Sequence, residues 1–287
     1  MTTATPQIPQ TTLSRDNKNT SRGLFAVSTR AFLALFRRDL LVVGRQFVPQ
    51  LIQSLMVPLF FLFIFGKVLT QTGAATSGYS TLLLPGMVAM TIVMNALTSI
   101  TLPLLLDIGN EREIEDRLMA PLPINLIAIE KVIFAAVNSI ITGAIVFPLA
   151  YWVLGSDYHV RGDAIGVLII IMVLTAFAGA SLGLTLGTAV KPEQIGMMNA
   201  VIIMPLIFTG CVYFSWSALD SLKWFQIATL INPLTYAAEG LRYAMTPAMH
   251  GHTLPTLAMP WVYLGLVVTT ILFLIIGMRG FSRRVVG

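Results

Sequence analysis

Six stretches of this chain are long, apolar and almost free of charge, at about 48–69, 82–106, 132–154, 164–190, 195–215 and 259–279. Each holds roughly 20 residues or more, the length a helix needs to cross a hydrocarbon layer about 30 Å thick. A 287-residue chain spent this way has no length left for a soluble catalytic domain. Its 56% hydrophobic and 11% charged content also falls outside the range of ordinary soluble domains. Backbone N–H and C=O groups have no water to bond in lipid, so the spans are predicted to be helices. A closed β-barrel would need short alternating segments, which the sequence lacks. The expected fold class is therefore an all-α membrane protein with six transmembrane helices.

Lysine and arginine set the orientation. With the N-terminus in the cytoplasm, fourteen of the 18 fall on inside segments. Lys67, Arg161, Lys223 and Arg242 fall outside, so the positive-inside rule puts both termini in the cytoplasm. The net charge of +5 is read as this bias and not as a nucleic-acid surface. Trp152, Trp216 and Trp261 fall at predicted outer ends of spans, as an interfacial aromatic belt would require. Residues 1–23 are rich in Thr, Gln, Asn and Ser and read as a disordered cytoplasmic tail. Cys211 is the one cysteine, which excludes an intrachain disulfide, and no metal cluster is expected.

Residues 24–46 precede the membrane domain at 47–287. Phe25, Phe32, Phe36 and Val43 share one helical face, while Arg30, Arg37, Arg38 and Arg45 lie opposite. This pattern predicts an amphipathic helix lying in the cytoplasmic interface. Asp39 and Leu41 blur its edges. Between spans two and three, about 108–120 should form a short helix. Arg112 with Asp116 and Glu113 with Arg117 are i,i+4 pairs, Glu111 and Glu115 add negative charge, and Pro121 ends it. Its apolar face of Ile114, Leu118 and Met119 suits it to docking on a cytoplasmic partner.

Inside the spans no acidic residue falls at mid-depth, and no inverted repeat is visible; both features mark ion-driven carriers. Gly179, Gly183 and Gly187 recur every four residues in span four, a stripe that lets helices pack closely. Ser181 lies in a Gly-x-Ser-x-Gly pattern, but within a helical run and not the strand-to-helix turn a nucleophile elbow needs. Thr91, Asn95 and Thr98 share a face of span two, beside Met87, Met90 and Met94. Asn199, Met204 and Thr209 lie in span five, which Pro205 should kink. These six polar and methionine positions either bond between helices or line a translocation path; adaptable methionines favour the path.

The longest loop, about 216–256, holds a short amphipathic segment marked by Leu219, Leu222, Phe225 and Leu230. Asn232 then reads as an N-cap, with Pro233 at the first position of a second helix running to about Met245. Glu239 and Arg242 are i,i+3 neighbours on that helix.

Pro233-Leu234-x-Tyr236, five residues, then Arg242 before a last span resembles the signature of type-2 ABC exporter permeases. Leu84-Pro85-Gly86-Met87 and the Glu-Arg-Glu of 111–113 with its downstream proline resemble the same family, as does Lys131 at the next span. The resemblance covers nearly the whole chain. It implies that Glu111, Arg112, Glu113, Glu115, Asp116 and Arg117 couple to an ATPase. It implies that 216–256 is a re-entrant helix pair whose Asn232, Pro233, Tyr236, Glu239 and Arg242 help close an outer gate. The chain has no phosphate loop, so the resemblance also implies a separate ATPase subunit in two copies carrying MgATP, and a second permease copy. Export of amphipathic drug-like or lipid substrates from a bacterial inner membrane is the function implied. A lipid-linked glycan permease and an ion-coupled carrier or channel are the alternatives.

Overall fold

The computed structural model describes residues 36–37, 44, 48–74, 78–109, 124–155, 162–246 and 256–286. The expected tail at 1–23, nearly all of the amphipathic helix and the coupling segment about 108–120 lie outside them, Gly109 and its immediate helix end excepted. All regular structure among the described residues is helical. Five helices are long and apolar enough to cross a membrane, giving an all-α, multi-pass helical bundle.

α1 spans Val48–Gln71 and widens into a π-turn at Leu62–Val68. α2 spans Tyr79–Gly109, α3 Ile124–Leu154 and α4 Ile165–Ala189. α3 begins earlier than its apolar run suggested, because Glu130 and Lys131 are buried inside the helix instead of ending it. The chain then turns through Val190 and Lys191 in extended conformation, as a residue preceding Pro192 must.

The run at 195–215 does not form one long helix. α5 occupies 195–209 in three pieces, Ile195–Met198, a π-turn Asn199–Ile203, and Met204–Thr209. Pro205 has no N–H to give the preceding turn, and a widened turn next to such a residue is a usual way to absorb the missing bond. Two short helices follow, α6 Lys223–Thr229 and α7 Pro233–Met245. α8, Met259–Val286, completes the chain and continues past the expected limit into Arg283 and Arg284, since arginine does not break a helix.

α2 is the most enclosed of the long helices, and α1 and α8 the least. α2 packs on α3, α4 and α7, while α4 also carries α8. Glycines let α4 and α2 touch backbone to backbone. A Cβ on Gly179 would stand 3.0 Å from Val93 Cα, and one on Gly183 would stand 2.7 Å from the Leu97 carbonyl oxygen. A Cβ on Gly187 would meet the Leu104 side chain at 2.9 Å. Into this closeness Thr101 donates its hydroxyl across to the Gly183 carbonyl at 3.0 Å. Burial against hydrocarbon gains little in lipid, so such close packing and interhelical bonds are what hold the pair.

Candidate functional site

α7 carries two opposite charges that are wholly buried. Asn232 starts it, accepting the Leu234 N–H at 2.9 Å through Oδ1, with Pro233 at the first helical position. On the helix that follows, Glu239 and Arg242 are both 0% exposed on the same face. They form a direct ion pair through Arg242 Nη1 and Glu239 Oε1. Burying two charges is costly unless every remaining donor and acceptor finds a partner. Here they do. Glu239 accepts the Trp216 backbone N–H at 2.8 Å and the Leu257 N–H at 3.1 Å. Arg242 donates to the Cys211 carbonyl at 3.0 Å and to the Leu82 carbonyl at 3.4 Å. One ion pair thus ties together α2, the end of α5, the turn before α6, α7 and the lead into α8.

The end of α5 is closed by the same helix. The last carbonyls of any helix lack intrahelical partners. Asn232 Nδ2 donates to the Leu206 carbonyl at 2.7 Å and to Thr209 Oγ1 at 2.9 Å. Thr235 donates to the carbonyls of Thr229 at 2.7 Å and Thr209 at 3.4 Å. Cys211 then adopts a left-handed φ of 52°, and its carbonyl is the one Arg242 holds. The turn is seated on α2 at Gly86, where a Cβ would lie 2.1 Å from the Val212 carbonyl oxygen. Tyr79 donates to the Tyr213 carbonyl at 2.9 Å. Tyr236 donates to the Leu230 carbonyl at 2.7 Å, and its ring lies against Gly265 of α8, where a Cβ would come within 2.5 Å.

The cap has a polar rim. Trp216 donates its indole N–H to the Gln226 carbonyl at 3.1 Å, so it is tied into the cap, whereas Trp152 and Trp261 are exposed. Gln226 and Lys223 donate to Asp220 Oδ1 at 3.0 and 3.1 Å, and these bonds hold the Asp220 carboxyl below its ordinary range.

The expected path residues are not gathered on one surface. Thr91 and Asn95 are buried, Thr98 and Thr209 half-buried, and Asn199 and Met204 exposed on α5. Thr91 and Thr98 donate to carbonyls of their own helix, Met87 and Met94, each at 2.8 Å. Asn95 instead donates to Ser54 of α1 at 3.0 Å and accepts from Asn138 of α3 at 3.1 Å. Ser99 and Gln50 extend this cluster. The coupling residues Glu111, Arg112, Glu113, Glu115, Asp116 and Arg117 lie outside the described residues. Sequence reasoning missed Asn138, Ser99, Tyr79, Thr235 and the role of Gly86. Asn138, Tyr79 and Gly86 have no spacing signal, because their partners are far away in the chain, whereas Ser99 lies one turn from Asn95 and Thr235 six residues from Thr229.

Among the described residues no group of three or more His, Cys, Asp or Glu is placed to hold a metal. Long apolar helices packed through glycine and closed at one end by a charged cap define a polytopic helical membrane protein. A family model described as ABC-2 type transporter matches residues 30–246, and the chain belongs to that family. It is a membrane permease, a transport subunit and not an enzyme. Similar curated proteins include the "Inner membrane transport permease YadH" of Escherichia coli (strain K12), 22% identical over 215 residues, 74% of this chain and 82% of the relative. The "Putative transport permease ycf38" of Porphyra purpurea is 26% identical over 265 residues, 87% of this chain and 83% of the relative.

Proposed function

We propose that this chain is the transmembrane subunit of an ATP-driven ABC exporter that moves amphipathic drug-like or lipid substrates out of the cytoplasm or inner leaflet. The family match over 30–246 carries the reading, because it runs from the amphipathic helix through the coupling segment to the cap. The relative named an inner membrane permease supports an inner-membrane location. In this reading α5 is a sixth crossing, both termini are cytoplasmic, and α6 and α7 re-enter the outer leaflet as a gate. Two copies of the permease assemble with two copies of a separate ATPase that binds MgATP. Glu111 to Arg117 receive the ATPase movement. Asn199 and Met204, exposed on α5, with Thr98 and Thr209 at its margins, line the path between copies; Thr91 is buried behind them, and Asn95 ties α2 to α1 and α3 there.

The test uses inverted vesicles containing the chain and its ATPase subunit, with a fluorescent amphipathic dye. Accumulation should require MgATP, stop with vanadate and survive collapse of the proton gradient. Dye uptake driven by the gradient without ATP would replace this reading by an ion-coupled carrier. Uptake of a lipid-linked oligosaccharide with no dye transport would replace the substrate class by a glycan.

A further inference from the structure

α8 carries an apolar stripe that runs unbroken into a cluster of cations. Leu264, Val268, Leu272 and Ile275 are each about half exposed, and at 100° per residue they share one face. The next positions on that face are Arg279 and Arg283, both exposed. Exposed Lys191 is brought to the same end by packing that the sequence does not display. A Cβ on Gly280 would lie 2.6 Å from Thr188 Oγ1, and Thr188 is one turn before Lys191. Glu193, two residues on from Lys191, is exposed and has no ion pair among the described residues. The Lys223–Asp220 and Glu239–Arg242 ion pairs lie in the cap, at the other end.

The spacing matches a bilayer. At about 1.5 Å per residue, Arg279 lies about 27 Å and Arg283 about 33 Å along the helix from Trp261. Trp261 is 61% exposed, and a hydrocarbon core is about 30 Å thick, so an aromatic at one interface leaves both guanidiniums at phosphate depth at the other. A soluble partner would not explain an apolar stripe leading directly to the arginines. A lipid does, with its acyl chain along the stripe and its headgroup at the cations. Guanidinium forms paired bonds to phosphate oxygens.

We propose that Arg279 and Arg283, supported by Lys191, form a binding site for anionic phospholipid headgroups on the outward face of α8. The proposal rests on α8 as a membrane span but needs no ATP, transport or partner subunit, so it fails separately from the exporter reading.

The experiment measures lipid retained on the purified full-length protein, alone or with its ATPase if purified as a complex. Native mass spectrometry would count phosphatidylglycerol and phosphatidylcholine adducts from equimolar mixed micelles. The wild type should prefer phosphatidylglycerol, and Arg279→Gln with Arg283→Gln should lower that preference by roughly fivefold per arginine. Arg279→Lys with Arg283→Lys should keep most of it. An unchanged preference in the Gln pair overturns the site. If the Gln pair does not accumulate, the wild type decides, and equal retention of the two lipids overturns it. Thermal unfolding in phosphatidylglycerol should exceed that in phosphatidylcholine. Inorganic phosphate alone should give no such rise; an equal rise would make this a free-anion site and overturn the lipid assignment.

Discussion

Asn138 donates to Asn95 across the α2–α3 contact at 3.1 Å, and Asn95 passes its own amide to Ser54 of α1 at 3.0 Å. One side chain therefore joins three helices. α1 is otherwise among the least enclosed helices in the bundle, so this joint is a main polar tie for it.

Asn95→Leu is expected to lower stability by about 0.6–2 kcal/mol, the range for interhelical hydrogen bonds in membranes. Asn95 is 3% exposed, so the range of transported substrates should not change. Thermal unfolding and a substrate panel on the same variant check this. A changed panel at full stability would move Asn95 into the path.

Breaking the cap ion pair should cost more. Arg242→Ala leaves Glu239 buried and charged and takes the side-chain donor from the Cys211 carbonyl; about 3–5 kcal/mol is expected. Replacing both residues by apolar ones of similar size, Glu239→Leu with Arg242→Met, should recover part of that loss, since no lone charge remains. Unfolding temperatures of the three proteins in one detergent give the comparison.

Gly183→Val should separate α4 from α2. Its Cβ would lie 2.7 Å from a backbone oxygen, which cannot rotate away as a side chain can. A cost of about 1–3 kcal/mol is expected from overpacking, with Thr101 losing its bond to Gly183. Gly196→Val, which meets nothing within 4 Å, is the matched control and should be nearly neutral.

Orientation can be read with cysteines in a Cys211→Ser background. Ile231→Cys, at an 81% exposed position in the cap, should react with an impermeant thiol reagent added outside cells. Lys191→Cys, exposed at the opposite end, should react only after the cells are opened. Reversed labelling would place the cap in the cytoplasm and overturn the proposed outer gate.

If Glu113 and Arg117 couple to an ATPase as proposed, Glu113→Ala with Arg117→Ala should abolish transport while insertion and abundance stay normal. Normal substrate-stimulated ATP hydrolysis in the double variant would remove the coupling role.

Local signals were enough for several features of this protein. Length and apolarity mark α1 to α4 and α8, since crossing lipid imposes a minimum run that a single sequence displays. Asn232-Pro233 marks the start of α7 because capping is a contact within a few residues. The four-residue glycine spacing of α4 shows a surface built for close approach, but not that α2 fills it.

What only the tertiary structure decided depends on how helices are ordered and rotated. Arg242 meets the Leu82 carbonyl from 160 residues away, and no periodicity encodes that distance. The sequence could pair Glu239 with Arg242, yet not show that Trp216, Leu257, Cys211 and Leu82 complete the pair and make its burial tolerable. Asn95 lay on a polar stripe whose direction was undetermined until α1 and α3 were placed beside it. The 195–215 run was mostly apolar, but its break into turns depends on Pro205 and on α7 closing its end, and average apolarity does not register either.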